Sequence, residues 1–396
     1  MANKLDISQL DFDGIKDNLK TFLKQQDEFT DYDFEGSGMN ILLDVLAYNT
    51  HYLGYNANML ANEMFLDSAD QRSSVVSLAK QVGYTPRSAS SSKATIDVLV
   101  NNGSGSSITM ARGTKFTSTV DGTSYSFVNN ADVSVSPVDG VYKFSNLDIF
   151  EGTYLNFKYT ANTSDQDQRF IIPNDNVDTT TLTVKVQNSS SDSTTNTYTL
   201  AQGITGLDST SEVYFLNEVE NGRFEVYFGD GVLGKAIADG NIVILDYITC
   251  NRDEPNGATT FTLSGNVGGF TNVTITTVDN AANGDGPESI ESIKFNAPRD
   301  FTSQDRAVTA DDYKVLVKSL FANAQSVQVY GGEDAATPDY GKVYISIKAK
   351  SGTNLTQLTK DNLVKSLKSF AVASVTPVII DPETTFITLT TTFKFD

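Results

Sequence analysis

The first of the chain's nine prolines is Pro86, so everything ahead of it runs without a helix breaker. Apolar residues in that stretch recur at helical spacing. A first helix is expected from Asp13 to Asp27, with Ile15, Leu19, Phe22 and Leu23 on one face. A second is expected from Met39 to Leu66, and it carries two stripes. Leu42, Leu46, Leu53, Ala57, Leu60 and Met64 follow steps of three, four or seven, and Ile41, Val45, Tyr48, Tyr52, Tyr55 and Met59 run beside them. A helix apolar over so much of its circumference has to be covered on more than one side. Two short neighbours supply too little cover, so the helix is expected to present an association surface made by Leu42, Leu46, Tyr48, Tyr52, Leu53, Tyr55, Leu60 and Met64. A third helix opens with the capping-box pattern Ser68-x-x-Gln71 and stops at Gly83.

Past Pro86 the period changes from helix to strand. Apolar and polar residues alternate in ATIDVLV (94–100), KFTSTV (115–120), TLTVKV (181–186), EVYFL (212–216), RFEVYF (223–228) and NVTITTV (272–278). Clusters such as NNGSGSS, Asp121-Gly122 and QNSSSDSTTN separate them, the mark of antiparallel sandwich or barrel modules. From 286 helices and strands mix. A helix near Pro287 to Phe295 gives way to APRDF, and Thr309 caps another whose buried face is Tyr313, Leu316, Val317, Leu320 and Phe321. Strands at 325–330, 342–349, 376–380 and 386–395 and a helix near 360–370 complete two helices on one face of an antiparallel sheet. The expected fold class is therefore multidomain α+β. Its parts are an N-terminal helical bundle segment (1–86), a β-rich domain (87–210), a β domain with an FGDG hairpin (211–285) and an α+β domain (286–396) built as an α/β sandwich.

Charge narrows the partners. The net charge is −20, and by these segments it falls as −7 over 1–86, −12 over 87–285 and −1 over 286–396. Binding along nucleic acid needs clustered cations to displace counterions, and anionic membranes make the same demand, so neither is an expected partner. No run of 18 apolar residues occurs and the first residues lack an apolar signal core, so a cytoplasmic, soluble product is expected. The sole cysteine, Cys250, and the sole histidine, His51, leave no intramolecular disulfide, no cysteine zinc cage and no multi-histidine metal site.

The remaining motifs read as structure. Gly229-Asp-Gly231-Val-Leu-Gly234 spells GxGxxG after a strand, but a dinucleotide site needs the third glycine to open a helix. Here Gly240 and the strand NIVILDY follow too soon, and Asp230-Gly231 is itself a hairpin pair. Asp279 to Gly286 has the look of a calcium loop, yet Ile290 stands where an EF-hand needs a carboxylate, so a linking turn is expected. His51 lies among tyrosines and reads as a packed or interface residue; no GxSxG supplies a nucleophile elbow. No cofactor, metal or catalytic residue is expected.

Several stretches are similar to a known family. LDFDGIKDNLKTFLKQQDEFTDYDFEGSGMNILLDVLAYNTHYLGYNANMLANEMFLDSADQRSSVVSLAKQVGYTPRS resembles the N-terminal region of baseplate wedge proteins of T-even-type contractile-tailed phages. The likeness continues in NGRFEVYFGDGVLGKAIADGNIVILDY, in NGDGPESIESIKFNAPRDFTSQDRAVTADDYKVLVKSLF and in VQVYGGEDAATPDYGKVYISIKAKSG. The last two stretches resemble the wider baseplate-J-like family. The resemblance implies a non-enzymatic scaffold of the virion tail, assembled in the host cytoplasm. It implies pairing with copies of itself, an N-terminal helical bundle with other baseplate wedge proteins, and wedges joined into a ring around the hub. Long family members carry a further C-terminal region involved in self-association, where this sequence ends at Asp396. The alternatives are a tail adhesin or glycan-binding module, suggested by the acidic Thr/Ser-rich β region, and a glycan-cleaving enzyme, suggested only by abundant carboxylates.

Overall fold

In the computed structural model of this chain the described residues are 11–26, 32–33, 35–101, 106–165, 168–201, 207–219, 222–303, 306–321, 324–335, 337–349, 354–372 and 374–383. They fall into two units, Met1–Tyr84 with Ile290–Ala297, and Thr85–Ser289 with Pro298–Asp396.

The first unit is helical. Asp11 caps α1 (Phe12–Leu23), its carboxylate accepting the Gly14 N–H, and Ile15 is the residue α1 buries. Ser37 caps α2 (Gly38–Glu63) in the same way through the Asn40 N–H. α2 ends three residues before Leu66, because the Glu63 carboxylate turns back to accept the N–H groups of Asp70 and Gln71. That contact replaces the expected capping box. α3 (Arg72–Gln81) has Gln71 as its N-cap with no side-chain hydrogen bond, and Ser68 instead donates its hydroxyl to the Asn62 carbonyl. Gly83, at φ +82°, closes α3, with Tyr84 N–H reaching back to the Ala79 carbonyl.

α4 (Ile290–Ser303) corrects two expectations. It runs through APRDF with Pro298 inside it, and its first part belongs to the helical unit and not to a 286–396 domain. The reason is packing: Ile293 and Ala297, both at 0% exposure, join Ala69, Val75, Val76 and Ala79 in one core.

The second unit begins with antiparallel sheet. β1 (Lys93–Asn101), β2 (Ile108–Met110), β3 (Lys115–Val120), β4 (Thr123–Asn129), β5 (Val133–Val135) and β6 (Val141–Glu151) come first. β7 (Thr153–Thr160), β8 (Phe170–Ile171), β9 (Val177–Gln187), β10 (Thr195–Leu200), β11 (Val213–Glu218), β12 (Phe224–Phe228) and β13 (Ile242–Thr249) follow, then β14 (Thr262–Ser264) and β15 (Thr274–Ala282). Asp121 and Gly122, both at positive φ, make the tight hairpin joining β3 to β4, as their sequence proposes.

The strands form two main sheets, and the division does not fall at 210/211. One sheet has the order β14-β3-β4-β6-β1-β15, the other β7-β13-β9-β10-β11-β12-β8, so the second is inserted whole between β6 and β14. β10 and β11 lie on either side of residue 210, yet they pair in one sheet over one core that includes Tyr198, Tyr214, Val226 and Leu245. In the first sheet Ile96, Val98 and Val100 alternate inward onto Phe116, Phe127 and Phe144. In the second the two edges approach each other: the Tyr159 hydroxyl of β7 donates to the Ile171 carbonyl of β8 at 2.6 Å. The sheet is thus a nearly closed barrel.

The C-terminal part of this unit has α5 (Ala310–Leu320), β16 (Ala324–Gly331), β17 (Lys342–Ala349), α6 (Gln357–Leu367) and β18 (Thr376–Ile380). Thr309 and Asp312 form a full capping box at α5. Tyr313, Leu316, Val317 and Phe321 are buried as expected, but Leu320 is 39% exposed. The helix ends there, and the Phe321 backbone has already left helical geometry at φ −134°. β16 and β17 are antiparallel, whereas β18 runs parallel to β17 because α6 carries the chain back across the sheet. The strand expected at 386–395 lies outside the described residues.

Candidate association surface on the second helix

α2 is 26 residues long, about 39 Å at the usual helical rise. Its inward stripe is narrow: Asn40, Leu43 and Ala47 are the residues it buries, with Asp44, His51, Gly54 and Asn58 half-buried along the same line. α1 lies against this side near the start of α2, and Lys16 pairs with Asp44 across the two helices.

All eight residues expected in the association surface are exposed. Leu42, Leu46, Tyr48, Tyr52, Leu53, Tyr55, Leu60 and Met64 lie between 52% and 68% exposure, and Ile41, Val45 and Met59 join them. The structure resolves the two stripes into two seams. Positions 41, 45, 48, 52, 55 and 59 alternate steps of four and three, which is the spacing of a heptad seam. Positions 42, 46, 49, 53, 56 and 60 repeat it one residue on, with Asn49 and Asn56 among the leucines. Adjacent helical residues are about 100° apart, so the seams face two directions. Tyr48 and Tyr52 already touch, their rings tilted with centroids 5.2 Å apart.

The surface is also uncharged. The acidic side chains of α2 are Asp44 and Glu63, and both are engaged on its inner side or at its end. Burial pushes the Glu63 carboxyl up, but hydrogen bonds from the Ser74 side chain and from the Asp70 and Gln71 backbone outweigh it and hold the group below the ordinary carboxylate range. His51 sits half-buried on the inward line and not in either seam.

The other motifs form local structure. Asp230 accepts the Val232 and Leu233 N–H groups, and Gly231 N–H reaches the Gly234 carbonyl, so FGDG closes into a self-contained loop. No hairpin forms there, since β12 pairs with β11 and β8 and the next strand, β13, pairs elsewhere. Residues 279–282 finish β15, and Asp285 beyond them is paired with Arg87 at 2.8 Å. Among the described residues no group of three or more His, Cys, Asp or Glu is placed to hold a metal ion, and no helix is long and apolar enough to cross a membrane. A polar cavity of about 630 Å³ lies beside Tyr125, Glu151 and Glu254. Both oxygens of Glu151 are occupied there by Asn251, at 2.9 Å from its N–H and 2.7 Å from its side-chain amide.

The chain thus combines a helix with an uncharged, apolar outer surface and β modules whose motifs serve their own turns. Comparison with known proteins adds the family context. Residues 11–84 match the family described as baseplate wedge protein gp6-like, helical domain. Residues 156–256 match the third domain of bacteriophage baseplate wedge protein gp6, and 309–380 match C-terminal domain I of baseplate structural protein gp6. Baseplate wedge protein gp6 of Enterobacteria phage T4 is 32% identical over 410 aligned residues, covering 95% of this chain. The chain spans 59% of that relative's length. A chain of the anti-feeding prophage baseplate, solved by cryo-EM, is 10% identical over 93% of this chain and 78% of its own, with a TM-score of 0.33, too slight a likeness to carry an argument. By these matches, residues 11–84, 156–256 and 309–380 of the chain belong to gp6-type baseplate wedge domain families.

Proposed function

We propose that the chain is a structural component of a contractile-tail baseplate wedge, acting in the virion by assembly and not by catalysis. In this role it scaffolds the wedge and helps join wedges into a ring around the hub. α2 is its handle, and the partners are helices of other baseplate wedge proteins and of further copies of the chain. The observation that carries the reading is the uncharged double seam of α2. Burying one leucine contributes about 1.5–3 kcal/mol, so several together outweigh the cost of ordering a docked helix. Two seams facing different ways call for a helix against each.

The test is the pair Leu46→Asp and Leu53→Asp, one on each side of Asn49 in a single seam. Both side chains are exposed, at 53% and 60%, so the chain should keep its thermal transition and circular dichroism. Incorporation into wedges should be lost. Wild-type yield of wedges containing the double variant would place the handle elsewhere.

A further inference from the structure

The two β modules, β1–β6 with β14–β15 and β7–β13, meet through polar groups. Arg112, in the turn after β2, reaches from the first module into the second. Its guanidinium is 3.3 Å from Asp246 of β13 and 3.3 Å from the Thr181 carbonyl of β9, and it stacks over the Tyr154 ring of β7 at 4.9 Å. On its own side Asn130 accepts from it, and the Asn130 amide also donates to the Thr181 carbonyl at 3.2 Å. Arg112 and Asp246 are 12% and 3% exposed in their side chains, so this is an interior ion pair. Asp246 is held from its own module by Lys185 at 3.2 Å and by the Asn156 amide. Burial raises its carboxyl, yet hydrogen bonds from Asn156, Tyr154 and Lys185 bring its pKa below the ordinary value.

Two further contacts brace the same junction. The segment leading into β1 is tied to β9, with the Asp178 carboxylate accepting the Ser91 N–H at 2.8 Å and Ser88 bonded to Thr179. Where the chain crosses out of the first module, Gly152 lies so close to the returning strand that a Cβ would stand 2.1 Å from the Thr249 carbonyl oxygen.

We propose that the two β modules are locked into a single rigid body by this buried polar joint, with Arg112 as its pin. Desolvation cancels much of the gain from burying an ion pair, but directional bonds at both ends admit one geometry. An apolar contact would let the modules slide; a forked guanidinium bound on two sides does not. The inference rests on the joint alone and stands whether or not α2 is the handle.

The experiment is an electron–electron distance measurement on the full chain, with spin labels at Thr119→Cys in β3 and Thr197→Cys in β10, both exposed. The native Cys250 is buried, and its thiol is pushed up to about 11, so it takes no label. The labelled protein should give one narrow distance. Arg112→Met, which keeps the bulk and removes the fork, should broaden it severalfold while the strand signal in circular dichroism persists. Asn130→Ala is the milder variant, read in the same way should Arg112→Met fail to fold, and it should broaden the distribution to a smaller extent. A broad distribution without either substitution overturns the proposal. So does a narrow one in a folded Arg112→Met chain, which would make Arg112 a stabilising residue only.

Discussion

Gly229 sits where no side chain fits: a Cβ there would stand 2.3 Å from the Leu233 carbonyl oxygen and 2.5 Å from atoms of Gly234. The clash is with backbone, which cannot swing aside. Gly229→Ala should therefore destabilise the second β module, and by more than Gly231→Val. At Gly231 a Cβ would stand no closer than 3.7 Å, to the Ala236 methyl, and the main penalty is for holding φ at +85°. That penalty is about 1–2 kcal/mol. Urea unfolding of the two variants checks the order, and neither variant nor parent should bind a nucleotide in calorimetry. Asp246 makes a prediction with a pH sign. Its folded pKa is depressed, so its contribution is present above the unfolded value of about 3.9 and is lost as pH falls through the folded one. Asp246→Asn should cost about 3–5 kcal/mol at pH 7, the cost of breaking a buried pair from one side. The gap between variant and parent should shrink below about pH 4. Unfolding curves at pH 7 and pH 3 measure it.

At the scale of elements, α5 separates burial from pattern. Leu316 is 7% exposed and Leu320 is 39% exposed, one helical turn apart on what periodicity reads as the same face. Leu316→Ala should cost about 2–5 kcal/mol, and Leu320→Ala less than about half a kcal/mol. Equal losses would mean that the last turn of α5 packs like the turns before it. Leu320 shows where sequence periodicity stops being informative: the i, i+4 rule presumes that the helix continues, and this one ends. Elements with strong local signals were legible to the residue, as in β3, β17 and β18 and in the Thr309 cap. The insertion of one sheet into another was not. Alternation states that β9 and β13 are strands, but nothing local states that they pair with each other and leave β14 to return to β3. Arg112 and Asp246 are 134 residues apart, and neither stands in a motif, so the joint had no sequence signature at all. The apolar stripes of α2 were legible because a helix that fails to bury its own apolar residues shows it in composition and period alone.

For the whole molecule, the contrast lies between a net charge of −20 and the uncharged outer surface of α2. Raising salt from 0.1 M to 1 M shortens the screening length from about 10 Å to about 3 Å and weakens contacts made by charge. Association through α2 has no charge to screen. In sedimentation, self-association of the full chain should therefore persist or strengthen in 1 M salt, and it should disappear with Leu46→Asp and Leu53→Asp. Self-association that disappears on adding salt would point to the acidic β modules as the contact instead. The most direct measurement is a density map of the assembled tail with this chain traced. The account predicts helices of other chains lying along both seams of α2, with Leu46, Leu53 and Leu60 covered on one and Val45, Tyr52 and Met59 on the other. An α2 whose two seams still face solvent in the finished baseplate would contradict it.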